Sequence, residues 1–533
     1  MKSTCSLVIV AFILAHSLLG AQEGAGKGSD KAALGSTDFY PSPDRPIGWR
    51  GDGTSRYPGA TPPTSWERKK NGAGYTTKGI AWMTPLPDIG VSCPIIVGQR
   101  IFLTTEVHDL VCLDKQTGKV LWIRSNPEFE GLSDEDRKAN PAFDKLAALL
   151  PELTKANAEL VKTLNAQMAA APKALPAPNP SPAWTKKREI EKKIQEQQNA
   201  IDKKGFDRYW GQAVFGFSGA TPTSDGKNVC AFFTTGVSAC YDLEGKRKWI
   251  TRGKGGGSEH GNFASPVLCD GKLAVWANEM RGYDVETGKL AWSLPAKASN
   301  TYGSMFRLKV GSDLVAAFQS GFFVRVKDGK AIWGDNIFGD AVMTPIVENN
   351  TIYTWVGYPR NNKGQFNAFK IPATTATAKL TPAYTFSMDW GDNELVIEKN
   401  KNPFDRGFVA SPLFVDGLIY NITQGAGLLV NDAATGKLVY RKVLALKPRT
   451  HYWDWAGLST SPTLAGKYIY LMDNQGTTLV LDPGKEYKEV ARNVIEESGK
   501  NGKEQVQNVS TPVFEGSRMY YRTPGYLYCI GEK

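Results

Sequence analysis

Histidine is scarce in this chain, with four among 533 residues, and no His-x-x-x-His spacing occurs. Cysteine is nearly as sparse, with seven; no two are adjacent, and neither Cys-x-x-Cys nor Cys-x-x-Cys-His appears. These absences argue against a closed metal site of regular ligand spacing and against a covalently attached haem. Long apolar runs are missing too. The one apolar stretch, Leu7 to Leu19, follows Lys2 and precedes the small residues Gly20 and Ala21. It is too short to span a bilayer comfortably and has the form of a secretory signal, with cleavage expected near Ala21. No cysteine stands there to carry a lipid anchor. Charge is not massed either: 64 Lys and Arg against 53 Asp and Glu leave +11, spread along the chain, so no nucleic-acid partner is expected. The expectation is an exported monomer, periplasmic or secreted, soluble after signal cleavage and without a membrane-spanning segment.

Turns and aromatics, by contrast, are abundant, with 54 glycines and 14 tryptophans, and they recur at a fixed spacing. The unit Leu110 to Asp114, Gly118, Trp122 returns as Asp242, Gly245, Trp249 and as Asp284, Gly288, Trp292. Weaker copies place Gly329 before Trp333, and Asp432 and Gly436 before Tyr440; a degenerate one keeps Asp482 and Gly484. Physically the unit is a hairpin. An alternating strand ends at Asp, a tight turn uses glycine's left-handed backbone, and the aromatic is a flat wedge for the gap between twisted sheets. Upstream of these hairpins a small residue plus proline opens an apolar run: Cys93-Pro94, Thr221-Pro222, Ser265-Pro266, Thr344-Pro345, Ser411-Pro412, Ser461-Pro462 and Thr511-Pro512. The double interval before Thr344 places a further start near Ser304. Four strands per unit at a period of about 40–50 residues is the signature of propeller blades. The last unit lacks a fourth strand, and Gly79 to Met83, with Trp82 as wedge, supplies one. Closing the ring from both termini removes exposed sheet edges. The predicted fold is therefore all-β, an eight-bladed propeller with a helical hairpin inserted.

The Asp-x-x-Thr-Gly-Lys-x-x-Trp pattern at Asp114 to Trp122 and Asp284 to Trp292 resembles the tryptophan-docking motif of PQQ-like (pyrroloquinoline-quinone-like) propellers. That superfamily includes quinoprotein alcohol dehydrogenases and barrel-assembly accessory lipoproteins. The opening Trp49-Arg-Gly-Asp-Gly53 followed by Trp82 looks like a family of exported bacterial PQQ-like repeat proteins. The resemblance implies fold rather than chemistry. The dehydrogenases carry an adjacent cysteine pair beneath PQQ, absent here, and a Glu, Asn and Asp around calcium that match no motif of this chain.

The predicted organisation is a signal peptide at 1–21, an extended N-terminal segment at 22–78, and the closing strand with blade 1 at 79–125. An insertion at 126–209 and blades 2 to 8 at 210–533 follow. In the insertion the apolar period lengthens to that of a helix. Leu146, Leu149, Leu153, Ala156, Leu160 and Leu164 form one stripe and Ile190, Ile194 and Ile201 another, separated by the proline-rich stretch Pro172 to Pro182. This reads as a helical hairpin projecting from the propeller, either a decoration packed on itself or a docking arm. Cys112, Cys240 and Cys529 share one repeat position, which argues for packing; Cys230 and Cys240 flank one hairpin, so a disulfide between them stays open.

Ligands of propellers usually meet the funnel face, formed by loops entering the innermost strands and loops joining second to third strands. Those segments carry Glu106, His108, Glu259, His260, Arg360, Arg406, the run His451-Tyr-Trp-Asp-Trp455, and Arg522. His260, His451 and Asp454 are the candidates for base chemistry. Glu106, His108, Glu259, Arg360, Arg406, Trp453, Trp455 and Arg522 are candidate ligand contacts, and Trp453 and Trp455 suit either stacking on a ring or wedging blades. Trp82, Trp122, Trp249, Trp292, Trp333 and Tyr440 are assigned as wedges. The expected function is a non-catalytic binding or scaffold propeller that grips a protein or glycan through funnel face and arm, with no cofactor and no metal. The alternative is a divergent PQQ- and calcium-dependent oxidoreductase acting on an alcohol or sugar.

Overall fold

The computed structural model describes residues 31–72, 74–170, 181–208, 216–253, 255, 264–276, 278–295, 302–357, 365–376, 379–386, 407–446, 458, 460–497 and 510–532. Alternating apolar strands joined by tight turns fold into eight sheets among these residues, each built on a four-stranded antiparallel meander. Blade 1 runs through Ile95–Val97, Arg100–Thr105, Asp109–Asp114 and Val120–Ser125. Blades 2 to 7 repeat that meander at 223–252, 267–295, 306–332, 346–385, 413–443 and 463–495. In blade 8, Val513–Glu515, Arg518–Arg522 and Tyr526–Ile530 take their fourth strand from Ile80–Pro85, with Trp82 opposite Cys529.

The small residue before each proline has a physical purpose that composition does not reveal. Its side chain accepts a hydrogen bond from the backbone N–H of the same position in the preceding blade. Cys93 donates to Thr221, Thr221 to Ser265, Ser265 to Ser304, Ser304 to Thr344, Thr344 to Ser411 and Ser411 to Ser461 at 2.8–3.2 Å. Across the seam, Thr511 donates to Cys93 Sγ at 3.2 Å. A short side chain is needed because a longer one would push its oxygen past the neighbouring amide. Ser304, without its proline, occupies the same place in the relay.

Outside this relay the wedges interlock. A side chain built on Gly118 would strike the Trp82 ring at 2.6 Å, one on Gly245 would strike Trp122 at 2.7 Å, and one on Gly288 would strike Trp249 at 2.6 Å. Each indole therefore lies on the turn glycine of the following blade. The indoles of Trp249 and Trp292 also donate to Val285 O and Val326 O of that blade, at 2.8 and 3.0 Å. Trp333 does otherwise. The outer strand of blade 4 pairs without the register shift that blades 1, 2 and 3 show. Trp333 consequently falls beyond its strand at φ +63°, with its ring 5.0 Å from Phe323 of its own blade. In blade 5 the wedge is Tyr384, opposite Ala368, whose hydroxyl donates to Ala433 O of blade 6. Tyr440, half-buried opposite Val430, packs with the blade 6–7 core. Blade 7 has Ala491 at this position.

The segment 34–62 runs along the first strands of several blades and the turns that follow them, Arg56–Tyr57 pairing parallel with Leu464–Ala465. Tyr40 donates to Gly226 O, Ile47 bridges Ser224, and Arg307 donates to Pro46 O. Arg50 donates to Pro412 O at 2.6 Å, Ser55 to Pro462 O at 3.0 Å, and Thr61 N to Gly516 O at 2.8 Å. Contacts with blades 2, 4, 6, 7 and 8 make this segment a stopper fixed around the ring. Beyond it, Glu67–Asn71 and Gly74–Lys78 form a hairpin added to the outer strand of blade 7.

The helical insertion does not project. Its first long helix, Leu150–Ala170, lies along the outer strands of blade 1 and blade 8, with Leu160 and Leu164 in the propeller core. An uncovered edge strand is a liability, and the apolar stripe of the helix covers this one. Asn165 pairs with both backbone groups of Val120, accepting from N and donating to O at 2.9 Å each. The second helix, Pro182–Ile201, packs on the first and sends Lys187 to Asp109 at 2.8 Å, both side chains almost wholly buried. Burial alone would push the Lys187 ammonium down, but Asp109 and Glu191 outweigh it and hold it above its ordinary value. Cys230 and Cys240, registered opposite each other in blade 2, form a disulfide; Cys93, Cys112, Cys269 and Cys529 are free and buried.

Candidate functional site

The loop between the second and third strands of blade 1 carries Glu106 and His108, and both side chains turn inward. Glu106 accepts from Phe217 N at 2.8 and 3.0 Å, from Ser218 N at 2.9 Å and from Ser218 Oγ at 2.5 Å. Burial pushes its carboxyl up to about 7 in spite of those donors. His108 Nε2 is 2.9 Å from Thr235 Oγ1, with the Phe233 ring edge-on at 5.4 Å. Burial, then the nearby Arg208, Arg252 and Lys187, hold the imidazole well below its ordinary value, so it is neutral.

Arg522, at the end of the second strand of blade 8, has no solvent exposure. Its Nη1 donates to Ser92 O at 2.8 Å, while Nε and Nη2 make no hydrogen bond. Burial lowers its guanidinium, and the neighbouring Cys93 and Glu106 work against that. Gly90 separates the two charges: a side chain there would collide with Arg522 Nη2 and stand 3.1 Å from Ser218 Oγ. The structure thus brings Glu106 and Arg522 to one buried polar cluster around Gly90 and Ser218, with His108 on its blade 2 side. Ser92, Ser218 and Thr235 were not anticipated from sequence. Hydroxyl residues in loops are common, and only the register of neighbouring blades reveals these three as partners.

His260, His451, Asp454, Glu259, Arg360, Arg406, Trp453 and Trp455 lie outside the described residues. A quinone with calcium requires carboxylate oxygens with free valences and accessible cations. Glu106 has both oxygens engaged, Arg522 is sealed, and no group of three His, Cys, Asp or Glu side chains among the described residues could hold a metal. The described residues do not fit that group.

Residues 199–402 and 398–532 match the family model of the outer membrane protein assembly factor BamB. No curated protein matches the chain. Among solved structures it is similar to BamB from Moraxella catarrhalis at 14% identity, covering 58% of this chain and 83% of that one, with a TM-score of 0.42. A quinohemoprotein alcohol dehydrogenase from Comamonas testosteroni is 11% identical over 85% of this chain and 77% of its own, with a TM-score of 0.45. Another quinohemoprotein alcohol dehydrogenase, from Pseudomonas putida, is 12% identical over 92% and 75%, with a TM-score of 0.43.

Proposed function

Because this chain belongs to the PQQ-like repeat family of the outer membrane protein assembly factor BamB, we propose that it is an exported, non-catalytic scaffold propeller that holds a protein partner at its funnel face. The family's name comes from an assembly factor, which is a binding role. The observation that carries the reading is how the described funnel-side groups are spent. Glu106, His108 and Arg522 brace neighbouring blades from within, and residues 34–62 lie against the innermost strands. Glu106 and His108, held in internal bonds, stabilise a platform and are poorly placed to shuttle protons. No helix among the described residues is long and apolar enough to cross a membrane.

The test is titration of the full chain with PQQ and calcium, read by absorbance and by thermal shift. No saturable quinone binding is expected. Saturable binding, together with reduction of the quinone by an alcohol or sugar, would overturn the reading in favour of the oxidoreductase. In that event His260→Ala and His451→Ala would identify the base.

A further inference from the structure

Behind the funnel-side loop that carries Val107 and His108, a cavity of about 350 Å³ lies between the arm and blade 1, within the roughly 300–1,000 Å³ of small-molecule sites. Its walls are fixed before any ligand arrives. Lys187 and Asp109 pin the second arm helix from behind, and Gln198 Oε1 accepts from Phe129 N at 3.0 Å to tie that helix to the loop after blade 1.

Val107, Pro127, Leu153 and Ile194 give the cavity an apolar body. Its acceptors are committed. Glu128 has one oxygen 3.2 Å from Arg208 Nε and the other 2.9 Å from Arg252 Nη2. Glu191 has one oxygen on Lys187 and the other 3.2 Å from Arg188 Nη1. The His108 ring is engaged with Thr235. The donors are not committed to the same degree. Arg208 bonds through Nε and Arg188 through Nη1, with Arg188 Nε in a long 3.6 Å pair with Asp88; Lys192, largely exposed at the rim, has only a long 3.6 Å pair with Glu196. Cations with uncommitted N–H donors, Arg188, Arg208 and Lys192, thus line this space beside its apolar walls.

We propose that this cavity binds a carboxylate carried on a small apolar body, the carboxylate received by Arg188, Arg208 and Lys192. Paired guanidinium donors match a carboxylate's two oxygens, and the aliphatic walls match its tail. A free organic acid and the carboxyl terminus of a peptide share this chemistry.

Isothermal titration of the full chain with hexanoate, and with acetyl-Ala-Leu bearing a free carboxylate, tests it. At least one acid should saturate a single site about tenfold more tightly than hexanol or the dipeptide amide, as expected for charge-assisted bonds. Which acid saturates identifies the source. Lys192→Glu, at an exposed position, should weaken binding by about tenfold. Lys193→Glu, exposed on the same helix but outside the cavity, should leave it unchanged. Absence of saturation by both acids, equal binding of hexanol, or equal weakening by the two reversals would overturn the proposal.

Discussion

The ring has two halves that protect their outer edges in different ways. In blades 7, 8, 1 and 2 another element covers the outer strand. The hairpin 67–78 extends blade 7, and the helix Leu150–Ala170 lies on blades 8 and 1. The turn Glu128–Gly131 meets blade 2 through Glu128–Arg252 and Glu130–Arg247. Among the described residues, the sheets of blades 3 to 6 end at their fourth strands. Those edges are blunted by their own chemistry instead. Blade 3 ends on Pro295, blade 4 has a three-residue edge starting at Lys330, blade 5 opens its edge with Pro382, and blade 6 carries Arg441 and Lys442. Short strands, proline and lysine are the known deterrents to edge pairing. Among the described residues, cover is therefore supplied by the segment before blade 1 and by the 126–208 insertion on one side of the ring, and by residue choice on the other.

The sharpest way to break the covered half is to unpin its arm. Lys187→Ala leaves the buried Asp109 carboxylate without its cation and should cost about 3–5 kcal/mol in denaturant unfolding. The paired change Lys187→Met with Asp109→Leu should recover most of that. A cost below about 1 kcal/mol for the single change would show that the arm is held by its apolar stripe alone. In the bare half, Trp292→Ala should cost about 3 kcal/mol, at the lower end for a buried tryptophan. Hydrogen exchange should then accelerate in blades 3 and 4 while blades 7, 8, 1 and 2 stay protected. Uniform acceleration around the ring would mean that the two halves unfold as one unit.

The covered half was the less legible of the two in sequence. Repeats announce themselves because each blade must meet the same neighbour, so the hairpin glycine, the wedge and the residue before proline recur. The stopper and the arm occur once each. Trp49 to Gly53 has no internal copy, and nothing local says that Arg50 reaches Pro412. The stripe Leu153, Ala156, Leu160 and Leu164 shows a buried helix face, yet not what buries it, which is why a projecting hairpin was expected. Trp333 keeps the motif spacing and loses the wedge position, because strand register is set by pairing that spacing alone does not encode. At the candidate site the positions of Glu106, His108 and Arg522 in their loops were legible, whereas their inward orientation depended on Ser92, Ser218 and Thr235 from adjoining blades.

Glu106 offers a way to test the blade 1–2 junction by pH. Its carboxyl stands at about 7 folded against an ordinary 4.5, chiefly through burial. Between those values the folded chain holds a proton that the unfolded chain has released. The group's stabilising contribution is thus complete below 4.5 and is lost as pH rises through 7. The stability of the native protein minus that of Glu106→Gln should fall by about 2 kcal/mol between pH 4.5 and pH 8, at about 1.4 kcal/mol per unit and allowing for relaxation of the site. A flat difference would show that Ser218 and the 217–218 amides keep the carboxylate charged throughout.

The smallest expected effect isolates edge cover from charge. Asn165 offers the Val120 backbone one donor and one acceptor, the pair that a neighbouring strand would supply. Asn165→Ala removes both bonds and leaves two backbone groups of a buried residue to find water beside a helix. The expected cost is about 1–2 kcal/mol, since helix propensity improves while the amide pairing is lost. Asn165→Asp keeps the acceptor for Val120 N and sets a carboxylate against Val120 O, so it should be worse than alanine. If instead aspartate is tolerated and alanine is silent, the helix shields this edge by bulk alone, and the difference between the two halves of the ring reduces to apolar area.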